Sequence, residues 1–168
     1  MEESSVRRFN LFGAPVEYDP EDPPGYRAGV ASIAPVIGGA MLAGKVYELP
    51  PGQSNTAYHY ELSDEEWLIV LRGRPSVRHP AGEQELVPGD VVCFPTGPAG
   101  AHKVTNRSEE TARLAIVSTQ RLPAVVVYPD SDKVGVYTGG DGEEWVARRE
   151  SAVDYWDREP LGEEPLER

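Results

Sequence analysis

The chain has 168 residues, 39% of them hydrophobic, which is enough for one globular domain with a core of its own. Its net charge of −12, from 28 acidic against 16 basic residues, argues against nucleic-acid binding and against attraction to an anionic membrane surface. No apolar run approaches the roughly 20 residues that span a bilayer, MEESSVRRFN lacks the apolar core of a signal peptide, and Cys93 has no partner for an internal disulfide, so a soluble cytoplasmic protein is expected.

Residues 1–24 are polar and proline-rich and end in DPEDPP, which reads as an arm with one short strand, packed on the domain or on a second subunit. Strands are expected at 26–33 and 40–49, the second ending at the turn Pro50-Pro51-Gly52. Residues 59–61 and 67–71 follow as strands about a turn at Ser63–Glu65. Residues 76–79 enter a hairpin through Pro80-Ala81-Gly82, with 85–87 as its short return. Residues 91–94, VVCF, are apolar throughout, as in a strand buried on both faces, with Cys93 as a small core residue. Strands at 101–106, 111–118, 124–128, 133–137 and 144–148 complete the series, and nothing before Ser151 has sustained helical periodicity. The acidic tail 151–168 has room for one helical turn. The 17 glycines and 16 prolines, spread between short strands at about ten-residue spacing, indicate an all-β sandwich or barrel over 25–150, with no repeat and no second domain.

The chain has three histidines, and two of them, His59 and His102, stand at strand starts just after turns. Residues i and i+2 of a strand share a face, so His59 and Glu61 can point inward together, as can Glu66, Leu68 and Val70 on the next strand, the last two lining an apolar cavity. An ionised carboxylate at the inner end of an apolar strand is costly unless paired or coordinated, and a divalent cation offsets that cost. Imidazoles with one or two carboxylates suit Zn, Mn, Fe or Ni better than Ca or Mg. The competing reading for each histidine alone is a satisfied structural side chain. His79 is expected in an exposed hairpin and Trp67 between packed layers. Asn106 is expected to bond backbone, and Tyr47, Arg72 and Thr96 are candidate rim groups.

These spacings resemble the two motifs of the cupin superfamily. In the first, Gly73, Glu66, Glu61 and His59 stand at the motif's intervals, with Glu61 at its second histidine position and Gly52 one residue farther from His59 than the pattern has it. In the second, Gly89, Pro95, Gly97, His102 and Asn106 fit, with two extra residues before His102. The resemblance covers about residues 40–120. It implies a double-stranded β-helix, the jelly-roll of a cupin barrel, with a divalent transition metal held by His59, Glu66 and His102, and with Glu61 as a fourth ligand or as a general base. It also implies a homodimer and a small-molecule substrate or ligand. Dioxygenases, isomerases and decarboxylases share this ligand set, so fold and ligands do not choose among them. The alternative is a non-catalytic small-molecule-binding module.

Overall fold

The computed structural model describes residues 6–139 and 144–159. Its strands, in chain order, are β1 (Glu17–Tyr18), β2 (Gly29–Ser32), β3 (Leu42–Leu49), β4 (Tyr60–Glu61), β5 (Glu66–Arg72), β6 (Ser76–His79) and β7 (Gly82–Glu85), followed by β8 (Val91–Phe94), β9 (Lys103–Thr105), β10 (Ala112–Thr119), β11 (Ala124–Tyr128), β12 (Lys133–Tyr137) and β13 (Glu144–Arg148). One short helix, α1 (Ala34–Ile37), starts at a proline and stops at Gly38 in the left-handed conformation. Among the described residues no helix is long and apolar enough to cross a membrane.

The strands form two facing layers. One is a six-stranded sheet in the order β1-β2-β3-β10-β5-β8. Opposite it lie a four-stranded sheet, β13-β12-β11-β4, and a three-stranded sheet, β7-β6-β9. A single antiparallel bridge, His59 to His102, links these two smaller sheets. The result is the expected jelly-roll, built as facing sheets rather than as a closed ring. The core fills the space between the layers with Leu49, Leu68, Val70, Val104 and Leu114, each 2% exposed or less. Each such side chain contributes about 1.5–3 kcal/mol through its removal from water.

Two buried polar residues fasten the ends of the fold. Arg113, 4% exposed, donates to the carbonyls of Leu11 (2.8 Å) and Ala14 (2.6 Å) and pairs with Glu48 (2.6 Å), so one guanidinium on β10 holds the N-terminal segment against the six-stranded sheet. Asn106, fully buried, donates to the carbonyls of Leu49 and Glu110 and accepts from Ser108, the backbone-bonding role expected of it. Gly73, at φ +79°, lies where a Cβ would come within 2.7 Å of the Ala112 backbone, so only glycine fits the turn that closes β5.

Several expectations are corrected. VVCF is apolar throughout yet is not buried on both faces: Val91, 56% exposed, and Cys93 stand on the outer face of the six-stranded sheet, where Cys93 pairs in register with the exposed Trp67. Trp67, opposite Cys93, lies outside the layers at 50% exposure, its indole donating to Glu65. The hairpin return is Gly82–Glu85 rather than 85–87, because the strand begins at the turn glycine itself. Leu68 and Val70 share a face with Glu66 but belong to the packed core, since β5 runs inward past the mouth of the site. In the C-terminal segment a 3-10 turn at Arg149–Ser151 precedes a turn at 155–158, and the rest of the predicted tail, 160–168, falls outside the described residues, as do 140–143 and 1–5.

Candidate metal centre

Backbone pairing places the two histidines. The amide of His59 donates to the carbonyl of His102 (3.1 Å) and the amide of His102 to the carbonyl of His59 (2.8 Å). Directly opposed residues of an antiparallel pair put their side chains on one face, and here the ring centroids lie 4.6 Å apart. The turn before His102 is tight: Gly97 has φ +82°, and at Gly100 a Cβ would overlap the Pro95 carbonyl. Phe94, which ends β8, stacks on the His102 ring at 3.6 Å and 3° and fixes its plane. Glu66 comes from the other layer, at the start of β5, where it pairs in register with Phe94 and Ser118.

The three side chains converge across the gap between the layers. Glu66 Oε2 is 3.7 Å from His59 Nε2 and 3.4 Å from His102 Nε2, and a donor atom from each residue lies within 4.8 Å of the others. The second nitrogen of each ring is committed: Nδ1 of His59 lies 2.9 Å from the carbonyl of Ala57 and Nδ1 of His102 lies 2.9 Å from that of Gly100. A carbonyl only accepts, so each Nδ1 carries a proton, and a ring with no second proton turns a bare lone pair at Nε2 toward the carboxylate. With both rings neutral, three acceptors face one another with no donor between them. His102 Nε2 and Glu66 Oε2 are buried without a hydrogen-bond partner among the described residues, a cost that a divalent cation at this point removes. The donor set fits Fe, Mn, Zn or Ni.

Electrostatics agree with the geometry. Burial, reinforced by the neighbouring His59, pushes His102 down to about 4, so it is neutral at pH 7. Burial also lowers His59, but its contact with the Glu66 carboxylate outweighs this and the net shift is upward. Burial raises Glu66, yet the close approach of His59 and the charges of His102 and Lys45 hold it below its ordinary value. Glu61 is pushed up to about 7, first by burial and then by repulsion from Glu66.

Glu61 lies outside the converging group but lines the same cavity, of about 310 Å³, and its Oε2 is buried with no partner among the described residues. Tyr47 lines this cavity as expected of a rim group. Arg72 instead pairs with Glu48, and Thr96 is exposed away from it. His79 stays in its hairpin, capping its own turn by accepting from the Ala81 amide. Among the groups of the cavity wall that the spacing of the histidine motifs missed are Lys45, Asp64, Gln120, Tyr128 and Tyr137. The two tyrosine hydroxyls are hydrogen-bonded to each other at 2.7 Å across the β11–β12 hairpin. The alternation of Tyr47 with Lys45 and Ala43 on β3 was the available signal for Lys45, while nothing local marks the tyrosines.

Comparison with known proteins gives the same picture. The model of the cupin domain matches residues 45–118. No curated protein sequence matches the chain. Among solved structures, a candidate sugar phosphate isomerase from Acidithiobacillus ferrooxidans ATCC 23270 is 25% identical with a TM-score of 0.70, covering 77% of this chain and 81% of that one. A sugar phosphate isomerase of the cupin superfamily from Silicibacter pomeroyi DSS-3 is 20% identical with a TM-score of 0.74, over 86% and 94%. The polyketide cyclase RemF from Streptomyces resistomycificus is 21% identical with a TM-score of 0.56, over 71% and 84%. The matched segment and the facing-sheet architecture show a cupin domain over residues 45–118 and a cupin-type fold around it.

Proposed function

We propose that this protein is a metal-dependent enzyme that moves a proton on a small carbonyl compound, an isomerase in reaction type. The observation that carries the proposal is Glu61, a carboxylate in the cavity beside the His59–Glu66–His102 group, with one oxygen buried and uncommitted. A divalent cation held by those three side chains would supply Lewis acidity toward a carbonyl or hydroxyl oxygen. Glu61 takes the proton from the hydroxyl-bearing carbon next to the carbonyl and returns it to the carbonyl carbon, while the hydroxyl proton passes to the carbonyl oxygen, so no external oxidant is needed. Its raised affinity for protons suits a group that must both accept and give one near neutral pH. The paired hydroxyls of Tyr128 and Tyr137 orient the substrate's own hydroxyls, and burial above all keeps Tyr128 protonated as a donor. The names of two structural neighbours point to the same reaction type.

The test is solvent exchange. Metal-loaded protein is incubated in deuterium oxide with a panel of small aldoses, ketoses and their phosphates, and incorporation at the carbon beside the carbonyl is followed by NMR. The proposal expects incorporation that Glu61→Gln abolishes. Ligand binding without exchange across the panel would instead make the protein a non-catalytic binding module.

A further inference from the structure

The chain has three lysines against 13 arginines, and all three stand around one hollow. A second cavity, of about 620 Å³, adjoins the metal-centre cavity, and the two share Lys45, Tyr47 and Thr56 in their walls. Lys45 and Lys133 line this outer hollow. The third, Lys103, donates to the hydroxyl of Tyr26, itself a lining residue, at 3.1 Å. These lysines come from β3, β9 and β12, which are distant in sequence, so no local pattern explains their meeting.

Their partners set them apart. In a chain with an acidic surplus, the arginines are the cations that carboxylates neutralise: Arg74 with Glu85, Arg78 with Asp130, Arg107 with Glu83 and Arg113 with Glu48. None of the lysines pairs with a described carboxylate. Lys103 and Lys133 instead stand over aromatic rings, at 4.6 Å from the Tyr26 centroid and 5.4 Å from that of Tyr128, which leaves the ammonium groups positioned and electrically unspent. Two carboxylates also line the hollow. Asp130 is held by both terminal nitrogens of Arg78 at 2.6 and 2.9 Å and so is already balanced. Asp22 is not, and offsets one lysine. Lys45 also faces the Glu66 carboxylate across the shared wall, and the hollow keeps a net positive charge, which suits a phosphate monoester at neutral pH.

Tyr128 connects the two hollows. Its ring centroid is 6.1 Å from that of His59 on one side, while the Lys133 ammonium stands over it on the other. A small molecule lying along this tyrosine has one end at the metal centre and the other among the lysines. We infer that the Lys45–Lys103–Lys133 hollow is an anion subsite that holds the phosphate group of a phosphorylated small-molecule substrate, with the reacting carbonyl end in the inner cavity. This rests on the isomerase reading for the reacting end alone; the subsite stands or falls separately.

The probe is inorganic phosphate, titrated by calorimetry at constant ionic strength into metal-loaded protein, chelated protein and the His102→Ala variant, with acetate as the monoanionic comparison. The subsite predicts phosphate binding that survives chelation and His102→Ala, that weakens about tenfold in Lys45→Ala and again in Lys133→Ala, and that is unmoved by Arg74→Ala. Acetate should bind at least tenfold more weakly. These lysines lie at the surface of the fold, and thermal unfolding of each variant checks that it is intact. Absence of phosphate binding, binding that needs the metal and ignores Lys133→Ala, or acetate binding as tightly as phosphate would each overturn the subsite while leaving the deuterium-exchange result to decide the reaction. Failure of exchange alongside lysine-dependent phosphate binding would retire the isomerase reading and keep the subsite.

Discussion

Glu66→Gln separates a metal ligand from a structural carboxylate, because the side chain keeps its shape and loses its charge. In chelated protein at pH 8 the amide nitrogen can donate to an imidazole Nε2 at the 3.4 and 3.7 Å positions that Glu66 Oε2 now occupies without a donor. Stability should then change by about 1 kcal/mol or less, a few degrees in Tm for a chain of this size. Metal binding should respond oppositely. Taking structural zinc at about 10–16 kcal/mol over four ligands, one ligand is worth about 3–4 kcal/mol, or two to three orders of magnitude in affinity. At a metal concentration 1,000 times its Kd, wild-type protein gains about 4 kcal/mol, close to 8–16 °C in Tm. The variant at that concentration gains about 1 kcal/mol at most. Thermal unfolding with and without Mn, Fe, Zn or Ni reads both effects. A variant that gains as much as wild type from added metal would refute Glu66 as a ligand; a variant that unfolds without metal would show the carboxylate to be structural.

Glu61→Gln should leave metal content intact and lower kcat by about 10²–10⁴, as loss of a general base does, which elemental analysis beside turnover measurement checks. The thermal gain from metal should shrink as pH falls below 7 and vanish by about pH 5, because protons compete for the same lone pairs. The sign follows from His59: its raised affinity for a proton gives the metal-free protein stability that is fully present below the ordinary 6.5 and is lost as pH rises through the higher folded value, whereas the metal's contribution grows with pH. A metal-dependent gain persisting at pH 4.5 would contradict imidazole ligation. Arg113→Ala should cost about 3 kcal/mol, the low end for breaking a buried pair because Glu48 keeps Arg72, and should open residues 11–14 to proteolysis while metal content holds. Unchanged proteolysis would mean the arm is held by other contacts.

What could be read in the sequence followed the range of the physical signal. Strand alternation and turn residues act over a few positions, and they place β6, β8, β11, β12 and β13 at their observed bounds. The two histidine motifs encode the centre because His59 and His102 each sit beside their own turn, and the spacing back from Gly73 marks Glu66. Strand order is a long-range property. VVCF looks like a core strand, and only the assembled sheet shows that Cys93 falls on its uncovered outer face beside Trp67. Leu68 shares a face with Glu66, but how far β5 runs into the core decides whether it lines a cavity. The cavity wall is least legible of all, since Lys45, Tyr128 and Lys133 meet only once both layers have formed.

Elemental analysis of protein purified without chelator or affinity metal, then titrated with Mn, Fe, Ni and Zn, puts the cation hypothesis to its most direct trial. One transition-metal ion per chain, lost in His102→Ala while the β signature in circular dichroism remains, is the expected result. Wild-type protein that arrives empty and takes up none of the four would mean that His59, Glu66 and His102 meet for another reason.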